Sequence, residues 1–291
     1  MLKKILAALL LCALLTASAL AEPVTVVCSF YPIRVFAENV LKDVPEVELQ
    51  TLAPAGTGCL HDFQLLPGDL RALDKAKCLI INGAGMESQF LPLLEKEMGS
   101  LPLIDCSEHI DLIEEDEGPN PHIWLNALNA RQMVLNMGAQ LAALLPEHAE
   151  KISENTALYA DRLAALHEEL SEQLYDLPAR DIVTFHEAYP YFAEEFHLNV
   201  VASVAVEPDE APSPRMIAEA VELIRGYDLC PLFSEPGVSS DALEVIARET
   251  GEPVYELSPI TDGDGTAEDY ENGMRKNAET LRQALGAGKS N

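Results

Sequence analysis

The chain has 291 residues and carries 48 Asp+Glu against 19 Lys+Arg, a formal net charge of -29. A field of that sign repels nucleic acid, whose affinity rests on Lys and Arg neutralising phosphates, and it disfavours an anionic membrane surface. It attracts cations, and hydrophobic residues at 48% make the chain globular rather than an acidic disordered one.

In chain order, residues 1–21 read as an export leader. Lys3 and Lys4 form its basic start, residues 5–15 are almost wholly apolar, and Ala19-Leu20-Ala21 closes it with a small-x-small cleavage pattern. The apolar run is shorter than the roughly 20 residues a membrane span needs. Cys12 is disfavoured as a lipid acceptor, because bulky Leu11 precedes it and the apolar run continues past it. Beyond the leader stand Cys28, Cys59, Cys78, Cys106 and Cys230. That odd number would leave a thiol without an intramolecular partner even in an oxidising compartment.

Residues 22–145 are expected to form a first α/β lobe. Strand patterns at 25–30, 47–53, 78–82 and 101–105 alternate with helical ones at 33–42, 66–76 and 90–98. Such alternation argues for βα units and mostly parallel sheet. Gly83 and Gly85 do not make a dinucleotide loop, since Ser88 stands where the third glycine belongs. Residues 146–178 are expected to be a connecting helix. Ile152, Tyr159, Leu163, Leu166, Leu170 and Leu174 draw one apolar stripe along about 25 residues, roughly 37 Å of helix. Residues 179–291 resume the alternation as a second lobe. Strands are expected at 181–185, 200–206, 229–234 and 254–257, with helices at 188–196, 214–227, 241–250 and 270–285. The predicted fold is thus two α/β lobes joined by a long backbone helix.

The histidines separate by context. His109, His148, His167 and His197 lie in charged, surface-like stretches and are expected to be solvated. His61 (AGTGCLHDF), His122 (NPHIWLN) and His186 (TFHEAYPYF) each follow a strand or a tight turn, where open α/β sheets build binding crevices. Three neutral imidazoles suit a borderline cation such as zinc, and Asp262 in SPITDGDG could complete a tetrahedron. A filled fourth position favours holding an ion over hydrolysis. His186-Glu187 does not begin a metalloprotease helix, because Pro190 replaces the second histidine.

At these residues the chain resembles the metal-binding receptors of bacterial zinc and manganese ABC importers, the cluster A-I family. The markers run in order over about residues 24–286: SFYP (29–32), HDF before Pro67, NGAGME (82–87), PHIWLN (121–126), FHEAYPYF (185–192), EPDEAPSP (207–214) and the late ITD (260–262). The resemblance implies one metal in the cleft between the lobes, held by His61, His122, His186 and Asp262. It also implies delivery of the ion to a membrane permease driven by a cytoplasmic ATPase, by an exported monomer in the periplasm or at the outer face of the cytoplasmic membrane. Zn2+ is the expected cargo, with Mn2+ or Fe2+ as alternatives, and no covalent chemistry is expected.

This chain departs from the family at Leu60, where proline is usual, and at Cys59, two residues before His61, where a carboxylate is more usual. Cys59 is open to two readings, an idle or disulfide-bonded thiol and a soft alternative ligand. The acidic stretch 107–120, with Glu114, Glu115, Asp116 and Glu117, is either solvated loop or a collector of cations. Asp62 and Glu235 are candidates to orient an imidazole, and Trp124 to support His122. Two rival functions remain at this level: a secreted zinc hydrolase using Glu187 or Glu207 as base, and an adhesin or chaperone built on the same lobes.

Overall fold

The computed structural model describes residues 23–60, 63–116, 118–204, 213–227, 230–237 and 241–286. The leader with Cys12, and His61, Asp62, Glu117 and Glu207, lie outside the described residues. So do the end of the strand expected at 200–206 and the start of that at 229–234.

The first lobe strings β1 (Val24–Phe30), α1 (Tyr31–Val40), β2 (Val47–Ala53), α2 (Pro67–Lys75), β3 (Cys78–Ile81), α3 (Leu91–Met98) and β4 (Leu103–Asp105). All pairings in its sheet are parallel, in the order β2-β1-β3-β4. The expected solvated loop contains a short acidic hairpin, β5 (Glu114–Glu115) and β6 (Gly118–Pro119). A 3₁₀ turn at Ile123–Leu125 leads into α4 (Ala127–Leu144), and α5 (Ala149–Leu174) returns antiparallel to it. The second lobe comprises β7 (Asp181–Thr184), α6 (Pro190–Glu195), β8 (Asn199–Ser203), α7 (Pro214–Ile224), β9 (Leu232–Ser234), α8 (Asp241–Thr250), β10 (Val254–Glu256) and α9 (Asp269–Gly286). Its sheet is also parallel, ordered β10-β9-β7-β8. No helix among the described residues is long and apolar enough to cross a membrane.

Every residue of the predicted stripe on α5 is buried. The helix packs against both lobes, and Arg162 marks the junction: it donates to Asn39 Oδ1 on α1 (2.9 Å) and pairs with Glu271 on α9. One hydrophobic core accordingly runs from β1 through α4 and α5 to α9. A smaller core lies on the outer side of the second sheet, among Val183, Val221, Ile224, Leu232 and Ile246.

The backbone is a pair of helices where the sequence reading gives only the second. The buried face of α4 (Ala127, Ala130, Met133, Val134, Met137, Gly138 and Leu141) does follow helical spacing, but apolar Leu128, Leu135 and Ala139 lie off that face and blur the contrast. Small residues permit close approach, and a Cβ at Gly138 would lie 2.1 Å from Thr156 Oγ1 on α5.

Candidate metal centre

In each sheet the chain crosses first to one side and then to the other, and the crevice at such a switch point is where open α/β sheets bind ligands. In the second sheet the switch falls between neighbouring β7 and β9. His186 follows the first of these strands and Glu235 the second, so the two side chains meet at the carboxyl ends. The Glu235 carboxylate lies against His186 Nδ1 as an ion-pair partner. A carboxylate on one ring nitrogen fixes the tautomer and leaves the other nitrogen's lone pair for a metal.

His122 is fixed by an amide instead. Asn120 Oδ1 takes both the His122 backbone N–H (3.0 Å) and ring Nδ1 (3.0 Å). The orientation of that amide is set by its other end, where Nδ2 donates to Glu115 Oε1 (3.0 Å) and to the Glu187 carbonyl (2.9 Å). With Oδ1 facing the ring, Nδ1 carries the hydrogen and Nε2 the lone pair. Tyr191 holds the Asn120 backbone in turn, donating to its carbonyl at 2.9 Å while accepting from Ile113 N. The acidic hairpin is therefore wired to His122 through Glu115 and Asn120.

The two rings lie edge to face, with centroids 5.0 Å apart. His122 also packs against Trp124 at 5.2 Å. Trp124 is fully buried, donates Nε1 to the Pro259 carbonyl (2.8 Å), and receives Tyr270 Oη on its own carbonyl (2.7 Å). One residue thus ties the His122 loop to the start of the Asp262 loop.

Below this lies the NGAGME motif. Asn82 donates to the Pro121 carbonyl (2.9 Å), just ahead of His122. Glu87, buried without exposure, accepts the amides of Asn82 (2.7 Å) and Gly83 (3.1 Å). Burial pushes its carboxyl up to about 7 in spite of those hydrogen bonds. Gly83 is required here: its φ is +80°, and a Cβ would fall 2.0 Å from Asp105 Oδ1.

Cys59 arrives from the loop after β2. Gly56 and Gly58 take left-handed φ values of +80° and +82°, and Leu60 is fully buried, so the half-buried thiol is held between a permissive turn and an anchor. Its sulfur and the ligating atoms of His122 and His186 all lie within 4.8 Å of one another. Cys59, open to two readings in the sequence, is brought by the fold to the two histidines. The other four described cysteines are buried, and all five are free of disulfides.

Asp262 is not one of those three gathered donors. It is exposed on the neighbouring loop, its Oδ1 accepting from Gly263 N (2.8 Å). Thr261 O accepts from Gly56 N (3.3 Å), and a Cβ at Gly56 would come 3.9 Å from Asp262 Oδ1, so the two loops adjoin. His167, expected to be solvated, instead pairs its Nδ1 with Glu195 (2.7 Å), which raises the proton affinity of the ring. Glu195 also accepts the Ala127 amide (2.8 Å), locking the first turn of α4 to α6.

A model of the family described as zinc-uptake complex component A, periplasmic, matches residues 26–284. The zinc-binding protein AdcA of Streptococcus pyogenes is 28% identical, over 89% of this chain and 55% of its own length. The chain thus spans about half the length of that relative. The high-affinity zinc uptake system protein ZnuA of Bacillus subtilis is 25% identical, over 93% of this chain and 90% of its own. Among solved structures, the solute-binding protein FpvC of Pseudomonas aeruginosa with Ni2+ superposes with a TM-score of 0.82 at 27% identity, covering 93% of this chain and 99% of that one.

Proposed function

The chain belongs to the family of zinc-uptake complex component A proteins, and on that premise we propose that it is an exported, high-affinity zinc receptor. It works outside the cytoplasmic membrane and hands its ion to the permease of an ABC importer, driven by a cytoplasmic ATPase. His61, His122 and His186 are the nitrogen donors in this reading, and Asp262 offers the carboxylate.

The observation that carries the proposal is the convergence of His122 and His186, 5.0 Å apart between centroids, with each Nδ1 already engaged. Rings oriented by outer partners are built for a metal and would be wasted on solvent. Imidazole favours zinc over manganese, and the supply of Mn2+ or Fe2+ would have to outweigh that preference for either to be the cargo. Net charge adds an attractive field without choosing the metal.

Elemental analysis of protein purified without chelator tests the proposal. Stoichiometric zinc is expected in the wild type and its loss in His186→Ala. A metal-free wild-type protein, or metal content indifferent to that substitution, would overturn it.

A further inference from the structure

Among the described residues one thiol is placed unlike the rest. Cys28, Cys78, Cys106 and Cys230 are buried within apolar strands and cores. Cys59 alone is only half-buried and stands among the donors of the metal centre. From this placement we infer that Cys59 Sγ is a direct ligand of the cation held by His122 and His186, making the site selective for thiophilic divalent ions. The inference rests on the zinc-receptor reading and narrows its substrate class.

The geometry is close to what coordination needs. With Zn–S near 2.3 Å and Zn–N near 2.0–2.1 Å, tetrahedral donors sit about 3.3–3.6 Å apart. Donors already within 4.8 Å of one another have to draw in by roughly an ångström, which side-chain rotation supplies. They come from three separate loops, after β2, ahead of α4 and after β7, so their meeting is a product of the fold and not of sequence adjacency.

The loop that carries Cys59 is built to hold it there. Two left-handed glycines precede it, and Leu60 is fully buried directly after it. Gly56 is bonded across to Thr261, next to Asp262. On binding, the Cys59 S–H bond breaks, a sulfur–metal bond forms and the proton passes to solvent. With the three neutral imidazoles of the zinc-receptor reading, one thiolate completes a tetrahedron and leaves a dication with one positive charge, which Asp262 on the adjoining loop can offset. Thiolate is a soft donor that favours Zn2+ over Mn2+ and Fe2+, whereas an oxygen in its place would not.

Co2+ titration tests the inference, because a thiolate bound to Co2+ gives an intense near-ultraviolet charge-transfer band that imidazole and carboxylate do not. The wild type should show the band, and Cys59→Ser should bind Co2+ without it. Zinc affinity of Cys59→Ser, read by competition with a chromophoric chelator, should fall by at least the roughly 10–100-fold that loss of an outer partner costs. Its Mn2+ affinity should change less than that. Tight Co2+ binding by the wild type without the band would overturn the inference and leave the zinc-receptor reading standing. Failure of the wild type to bind either Zn2+ or Co2+ would overturn both.

Discussion

Asn120 and Glu235 hold the two histidine rings by different chemistry, and the difference is testable. Glu235→Gln keeps the shape but removes the charge that supports His186, so zinc affinity should drop about 10–100-fold with the circular dichroism unchanged. Affinity within a few-fold of wild type would show that the pairing does not tune the metal. Glu235 was legible as a candidate to orient an imidazole. Asn120 was not singled out, although Asn-Pro-His carries a signal: its side chain closes a turn onto the amide two residues on. What sequence lacked was the second contact, to the ring, which depends on Glu115 and Glu187 turning the amide. Glu87 gives a pH prediction. Burial raises the proton affinity of its folded carboxyl, so between the ordinary value of 4.5 and about 7 the folded protein keeps a proton that the unfolded chain loses. Stability from this group is therefore greatest below that window and is lost as pH rises through about 7, by about 3 kcal/mol. In excess chelator, Glu87→Gln should melt earlier than wild type at acid pH and show a flatter profile up to pH ~8. Parallel profiles would refute the assignment.

The helical backbone shows what periodicity can and cannot reveal about an element. The stripe on α5 stands out against a charged opposite face, whereas on α4 apolar Leu128, Leu135 and Ala139 outside the buried face blur the pattern. Gly138 is the point of closest approach. Gly→Ala in an exposed helix gains about 1 kcal/mol, but here the new Cβ meets the stiff, β-branched Thr156 at 2.1 Å. Over-packing costs of about 1–3 kcal/mol should win, and Gly138→Ala should lower the urea midpoint. A higher midpoint would mean that the helices separate more easily than their contacts imply. Apart from α4, which the sequence reading lacks, and α5, which starts three residues after the expected 146, the helix starts lie within two residues of those expected. Several begin with proline in the first turn, as in α1, α2, α6 and α7, where the missing N–H costs nothing.

At the scale of the molecule, the alternation of strand and helix along the sequence discloses two parallel α/β units. It did not disclose how their loops meet, since that depends on crossovers distant in sequence. The acidic hairpin stands near this meeting place, with Glu114 and Glu115 exposed. Neutralising Glu114, Glu115, Asp116 and Glu117 together should slow zinc association at low ionic strength. The effect should fade near 0.15 M salt, where screening acts over about 8 Å. An on-rate unchanged at low salt would reduce the hairpin to a brace for Asn120.

The two lobes are also stitched together around the site. Trp124 bonds to Pro259, Tyr270 to Trp124, Tyr191 to Asn120, Asn120 to Glu187, and Glu195 to Ala127. Each such bond contributes about 0.5–1.5 kcal/mol, and swinging the halves apart would break them together. Opening the crevice as a hinge therefore requires all five bonds to break in one step.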